Sequence, residues 1–219
     1  GEIDKWFENT GEFSQTINVP FSWGAPLSGV EDEGDIGWYK REIQVPDSWK
    51  GKRIFLVIGA SDWTTSGWLD NNVIGQNQGG YTPFEFELTS FVKFGEKQNL
   101  TLRFDDTDHE FKLEGKQGYG KARGIWQTIY LEARGEVFVD YVHITPDIRK
   151  NEISVEGQLS DPVNNAAKLE ISIKGEDGDD HDDSILLNKR DKVFKQSISI
   201  PDARLWTLED PHLYGVNVH

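Results

Sequence analysis

The sequence predicts an all-β chain: a larger β-sandwich over residues 1–135 and a smaller one over 136–219. Three observations carry this. Apolar residues recur at period two in short runs, as in Tyr39, Ile43 and Val45, in Ile54, Leu56 and Ile58, and in Leu100, Leu102 and Phe104. Successive side chains on a strand point to opposite faces, so this spacing marks half-buried strands. Turn formers, not helix-length segments, separate the runs. In Val45-Pro46-Asp47-Ser48-Trp49-Lys50-Gly51, Pro fixes φ, Asp and Ser bond the local backbone and Gly accepts positive φ. Finally, aromatic residues make up 12% of the chain, with eight Trp, so large rings can fill a core although only 36% of residues are apolar.

In chain order, residues 1–20 are polar apart from Trp6, Phe7, Phe13, Ile17 and Val19. Ile17 and Val19 alternate before Pro20 and predict a short edge strand. Residues 21–37 form a long loop with the acids Glu31, Asp32, Glu33 and Asp35, read as a solvated run because their spacing fits no calcium loop. The segment 37–86 organises the rest: two strands, then a hairpin in which Asp70-Asn71-Asn72 lies between Trp68-Leu69 and Val73-Ile74. Phe84, Phe86 and Leu88 predict a further strand, and Leu100 to Phe104 another. The stretch 105–123 then breaks the pattern with acids, Lys, Arg, Gln, Tyr and three Gly. Residues 125–134 read as one strand. Arg134-Gly135-Glu136 marks the boundary. Beyond it, Ile153 and Val155, then Leu169, Ile171 and Ile173, then Phe194, Ile198 and Ile200 space out strands of the second sandwich. The acidic run 175–183 reads as a solvated hairpin loop. A calcium loop counted from Asp177 would need Gly and Glu where Asp182 and Asn188 stand.

The charge excludes several function classes. A net −15 repels phosphate backbones and anionic lipid surfaces, so no nucleic-acid or membrane partner is expected. No apolar run approaches the roughly 20 residues of a membrane span. Zero Cys removes thiolate sites, and the five His lack metal-ligand spacing, so neither a metal nor a cofactor is expected. There is no recognisable Ser-His-Asp context and no phosphate-binding glycine loop. A first residue other than Met reads as a processed or cut chain. The compartment stays open between periplasm or secretion after leader removal and the cytoplasm.

A set of motifs carries a resemblance. W-Y-K-R at 38–41, V-P-D-S-W-K-G-K-R-I-F-L at 45–56, W-L-D-N-N-V-I-G at 68–75, G-G-Y-T-P-F at 79–84 and G-I-W-Q-T-I-Y-L-E at 124–132 follow one another in order. Together they resemble the N-terminal sugar-binding-type domain of glycoside hydrolase family 2. Asp70 departs from the family, which often has Asn there. Gly115-Lys116-Gln117 resembles its β-galactosidase-like subgroup. L-W-T-L-E-D-P-H-L-Y at 205–214 resembles the end of the family's immunoglobulin-like domain. The resemblance implies a jelly-roll β-sandwich followed by a smaller, immunoglobulin-like one. One more strand usually follows in the family, so the second sandwich is expected to be truncated at His219. That would leave an edge open to pairing with another copy.

The resemblance also implies a function. The parent would be a glycosidase cleaving β-glycosidic bonds with retention, most like a β-galactosidase. Its catalytic Glu residues would sit on a (β/α)₈ barrel downstream, leaving no catalytic residue in this chain. The expected partners are a carbohydrate and that barrel. In the family, the loop corresponding to 105–123 reaches the substrate pocket. Lys116, Gln117, Tyr119 and Arg123 are therefore the candidate sugar contacts, with Asp105 and Asp106 next. The family commonly places an acid about six residues before the closing Gly, where this chain has Gly118. The competing reading is a stand-alone, lectin-like double sandwich, with Trp23, Trp38, Trp63 and Trp68 as rings to stack on sugar faces.

Overall fold

The computed structural model describes residues 5–8, 13–108, 122–176 and 178–219. The chain is all-β, two sandwiches in tandem of jelly-roll and immunoglobulin-like type. It separates into two compact units, Gly1–Gly135 and Glu136–His219.

The first unit holds β1 (Ile36–Gln44), β2 (Arg53–Ile58), β3 (Ser61–Asp62), β4 (Thr64–Leu69), β5 (Asn72–Gln78), β6 (Phe84–Glu87), β7 (Lys97–Asp105), β8 (Gly124–Ile125) and β9 (Ile129–Arg134). One sheet runs β1-β7-β4-β5 and the other β6-β2-β9, with β3 and β8 paired separately, all antiparallel. The alternating residues Ile54, Leu56, Ile58, Leu100, Leu102 and Phe104 meet between the two sheets with Trp23, Leu69, Phe86, Leu88 and Ile125.

Both outer faces are covered as well. On the first sheet Trp38 and Trp68 stack at 5.5 Å, Phe7 stacks on Trp68 at 5.2 Å, and Trp6 leans on Trp38 at 5.9 Å. The short 3-10 turn Trp6–Glu8 thus lies over that sheet. On the second sheet, Phe55 is buried beneath the Arg134 guanidinium, 4.3 Å from the ring centroid. Glu85 and Glu132 hold that Arg at 2.6 and 2.8 Å.

The β4–β5 turn is pinned by Asp70, at φ +52°. Its Oδ1 accepts the Asn99 N–H at 2.9 Å and its Oδ2 accepts from Gln98 at 3.0 Å. Partial burial opposes the Asp70 charge, yet the bonds from Asn99, Gln98 and Lys93 hold its carboxyl below the usual range. The Arg53 fork does the same for Glu87. A carboxyl with a depressed folded pKa contributes stability above its unfolded pKa and loses it as pH falls through the folded value. The unfolding midpoint should therefore be level from pH 7 to about 5 and fall below about pH 4. Asp70→Asn should shallow that acid limb in circular-dichroism melts. An acid limb identical to that of the parent chain would overturn the assignment.

The second unit holds β10 (Val139–Asp147), β11 (Glu152–Leu159), β12 (Ala167–Gly175), β13 (Asp180–Leu187), β14 (Val193–Ser199) and β15 (Tyr214–Val218). Its sheets run β10-β11-β14 and β13-β12-β15. Val155, Leu169, Ile171, Ile173, Phe194 and Ile198 fill the space between them. Gly157 lies so close to the Tyr141 carbonyl oxygen and the Phe194 ring that no Cβ fits there.

Four elements differ from the sequence expectation. Residues 13–18 form no strand: Asn18 N–H bonds the Ser28 carbonyl, and Ile17 is held by packing on the core. The strand expected over 125–134 is divided, because the chain bulges around Ala60, whose carbonyl accepts from Trp126 and Gln127. The acidic run is only partly loop, since Asp180, Asp182 and Asp183 lie on β13. Finally, Tyr214–Val218, which the apolar spacing does not mark, is a strand that pairs with β12, Ile173 opposite Val216.

Candidate functional site

Polar groups gather at one end of the first sandwich, where β7 and β3 finish and β8 begins. Two loops meet there, 21–35 and the base of 106–123. Trp23 is buried, and its indole N–H donates to the Gly34 carbonyl at 2.8 Å. Its ring lies flush on Gly37 and Gly124, where only hydrogen-sized substituents fit. The Asp106 N–H donates to the Asp35 carbonyl at 2.7 Å, tying the second loop's base to the first.

Asp106 is 0% exposed, and its Oδ2 lies 3.7 Å from Arg123 Nε, whose side chain is 15% exposed. Arg123 also runs past Gly24, as does the Asp32 carbonyl. This buried pair therefore sits between the entry and the exit of the loop and abuts the acidic segment 31–35. Asp105, at the end of β7, accepts from Arg103 at 2.7 Å and from the Thr107 N–H at 3.1 Å. Partial burial works against its charge, but Thr107 and Arg103 keep its carboxyl below the ordinary range.

Beside these, Asp62 is buried against Gly80, and the Trp126 indole donates to the Gly80 carbonyl at 2.9 Å. Asp62 stands in register with Gly124 across the β3–β8 pair. Tyr81 is exposed and meets Trp126 edge-on at 5.7 Å. A cleft of about 670 Å³ opens along β1, lined among others by Trp6, Phe13, Asp32, Tyr39 and Lys40. Among the described residues, no group of three or more His, Asp or Glu is arranged to hold a metal.

Of the candidate sugar contacts, Asp105, Asp106 and Arg123 come together at this end. Lys116, Gln117 and Tyr119 lie outside the described residues. Sequence reasoning missed Asp62, the Asp35 carbonyl and the buried, wedging role of Trp23, which it offered only as a sugar-stacking ring. The signal available was the glycines at 24, 37 and 124, which mark close approach. Three of the four Trp offered as sugar-stacking rings are a correction. Trp23 and Trp68 are buried, and Trp38 is half-buried between Trp6 and Trp68, so these three rings serve packing. Trp63 is half-buried.

The fold and the loop end define a tandem antiparallel β-sandwich protein whose polar chemistry collects on loops at one end of its first unit. The description "Glycosyl hydrolases family 2, sugar binding domain" matches residues 2–132, and "Glycosyl hydrolases family 2" matches 137–219. The chain belongs to glycosyl hydrolase family 2. A β-galactosidase of Thermoanaerobacter pseudethanolicus is 24% identical over 195 residues, covering 86% of this chain and 26% of that protein. A β-glucuronidase of Bacteroides fragilis is 25% identical over 226 residues, covering 94% and 32%. The chain thus spans a third or less of these two relatives. Among solved structures, the β-glucuronidase of Ruminococcus gnavus in complex with uronic deoxynojirimycin shares the fold at TM-score 0.78 and 16% identity, over 100% of this chain and 39% of that one.

Proposed function

We propose that this chain is the non-catalytic N-terminal region of a hydrolase acting on β-glycosides. It packs on a catalytic barrel and lends the loop 105–123 to the rim of the sugar pocket. The single observation that supports this best is the ordered match of both units to one glycosidase family. The tied loop base fits the role, since a loop that orients a sugar must be anchored by packed side chains. Lys116, Gln117 and Tyr119 are the groups assigned to contact with the sugar, with Asp105, Asp106 and Arg123 at the loop's base. The named relatives are β-galactosidases and β-glucuronidases, and the β-galactosidase-like tripeptide 115–117 favours a neutral β-galactoside as substrate.

In the full-length enzyme, Gln117→Ala and Tyr119→Ala should each lower kcat/KM about tenfold, the worth of one lost hydrogen bond or ring contact. The melting temperature of the 219-residue chain should not move. Unchanged kinetics in both variants would sink the loop assignment. Assays with nitrophenyl β-galactoside against nitrophenyl β-glucuronide decide the substrate, and activity on neither would remove the hydrolase reading.

A further inference from the structure

The second unit turns a set of large apolar side chains into water. On the loop 201–213, Leu205 is 47% exposed, Trp206 55%, Leu208 84% and Leu213 65%. The loop is not slack. Arg204 grips Asp210 with two bonds of 2.6 Å, and the Thr207 N–H donates to the Asp210 carbonyl at 2.9 Å. The Asp210 N–H returns a bond to Thr207 Oγ1 at 3.0 Å. The Tyr214 hydroxyl accepts the Arg204 N–H at 2.9 Å and donates to Asp179 at 3.2 Å. His212 points inward, buried and edge-on to Tyr214 at 4.8 Å. Arg204, Thr207, Asp210 and Tyr214 thus spend their polar groups on this scaffold, while Leu205, Trp206, Leu208 and Leu213 face out. That inverts the usual order. Large apolar side chains brought out within nine residues, a Trp among them and the loop held on a fixed frame, are the make-up of an interface core.

The charge balance narrows the occupant. A second copy would bring another −15 against this one, so self-association starts with repulsion. A segment of the same longer chain needs no such encounter, because covalent linkage sets its effective concentration. The β-galactosidase and β-glucuronidase relatives extend well beyond the matched part, since this chain covers only 26% and 32% of their lengths. We propose that Leu205, Trp206, Leu208 and Leu213 form the surface by which the second unit docks on the catalytic region of a longer family 2 chain. This rests on the proposed function and adds the place of contact to it.

The test carries one double substitution, Leu208→Lys with Leu213→Lys, in two contexts. In the 219-residue chain both side chains are already in water, so the melting temperature should stay within about 1 °C. In the full-length enzyme the same change buries two charges, and the midpoint should fall by about 5 °C or more. Iodide should quench Trp206 in the short chain and lose access to it in the long one, read as the difference from Trp206→Phe. An active full-length hydrolase whose midpoint and quenching ignore the substitutions overturns the docking and leaves the function reading standing. A full-length protein without activity on either glycoside overturns both. Two further results also overturn it: dimers of the short chain in sedimentation that the double substitution abolishes, which assign the surface to a second copy, and saturable quenching of Trp206 by galactose, which assigns it to sugar.

Discussion

Replacing Gly124 by Val is expected to lower the unfolding midpoint, followed by the fluorescence of the buried Trp, by roughly 15 °C. Two independent causes add. Gly124 has φ +66°, where an L side chain costs about 1–2 kcal/mol. A Cβ there would also lie 2.5 Å from the Trp23 ring and 2.8 Å from the Tyr39 hydroxyl. Neither neighbour can retreat. Trp23 is wedged against Gly37 and bonded to Gly34, and Tyr39 packs edge-on to Phe104 at 4.9 Å. Burial already pushes the Tyr39 phenol well above its ordinary pKa, so deprotonation gives no relief. Forcing atoms into such a site costs about 1–3 kcal/mol more. The sum, about 4 kcal/mol, is a large share of a typical stability of about 5–15 kcal/mol. In a double-mutant cycle with Trp23→Leu, Gly124→Ala should cost less in the Leu background by its clash with the ring, and keep the backbone part and the contact with Tyr39. A Val variant that melts like the parent chain would show that the Trp23 wedge is not held as described.

The two sandwiches were legible because their strands are amphipathic. Ile54, Leu56 and Ile58, and Leu169, Ile171 and Ile173, alternate in sequence and meet in the cores. The hairpin at Asp70 was legible because a short polar turn between apolar pairs has few other solutions. Alternation reports burial, however, and not the hydrogen-bond partner. Ile17 and Val19 alternate as a strand would, yet the nearby Asn18 bonds a loop carbonyl. Charge misleads in the opposite direction. Asp180 and Asp182 read as loop, although a strand tolerates acids on its solvated face, and Leu187 at the end of the same strand is buried. The aromatic rings were ambiguous for a third reason. Whether Trp38 and Trp68 lie bare depends on Trp6 and Phe7, far away in sequence, whose role has no local signature. The same holds at the loop end. Asp105-Asp106-Thr107-Asp108 looks like a uniformly solvated acidic stretch. Only the fold shows that Asp106 is enclosed while Asp105 keeps some access to water, because only the fold brings Arg123 back beside it.

That pairing predicts the second large effect. Arg123→Met should cost about 3 kcal/mol, since the Asp106 carboxylate stays in a site closed to water after its neighbouring cation is gone. The loss belongs to the burial of a charge and not to the missing side-chain volume, for Met keeps much of the stem. Adding Asp106→Asn removes the buried charge itself, so the double variant should recover part of the loss in denaturant melts. Arg123→Lys keeps the charge but not the planar fork and should fall between the two. In the full-length enzyme the loss of kcat/KM should follow the same order, because the pair acts on the base of the loop. A direct sugar contact behaves differently: Arg123→Met would then lower kcat/KM while leaving stability almost unchanged, and Asp106→Asn would rescue neither. The melting experiment on the short chain therefore decides, before any substrate is added, whether Arg123 holds the loop or reaches past it.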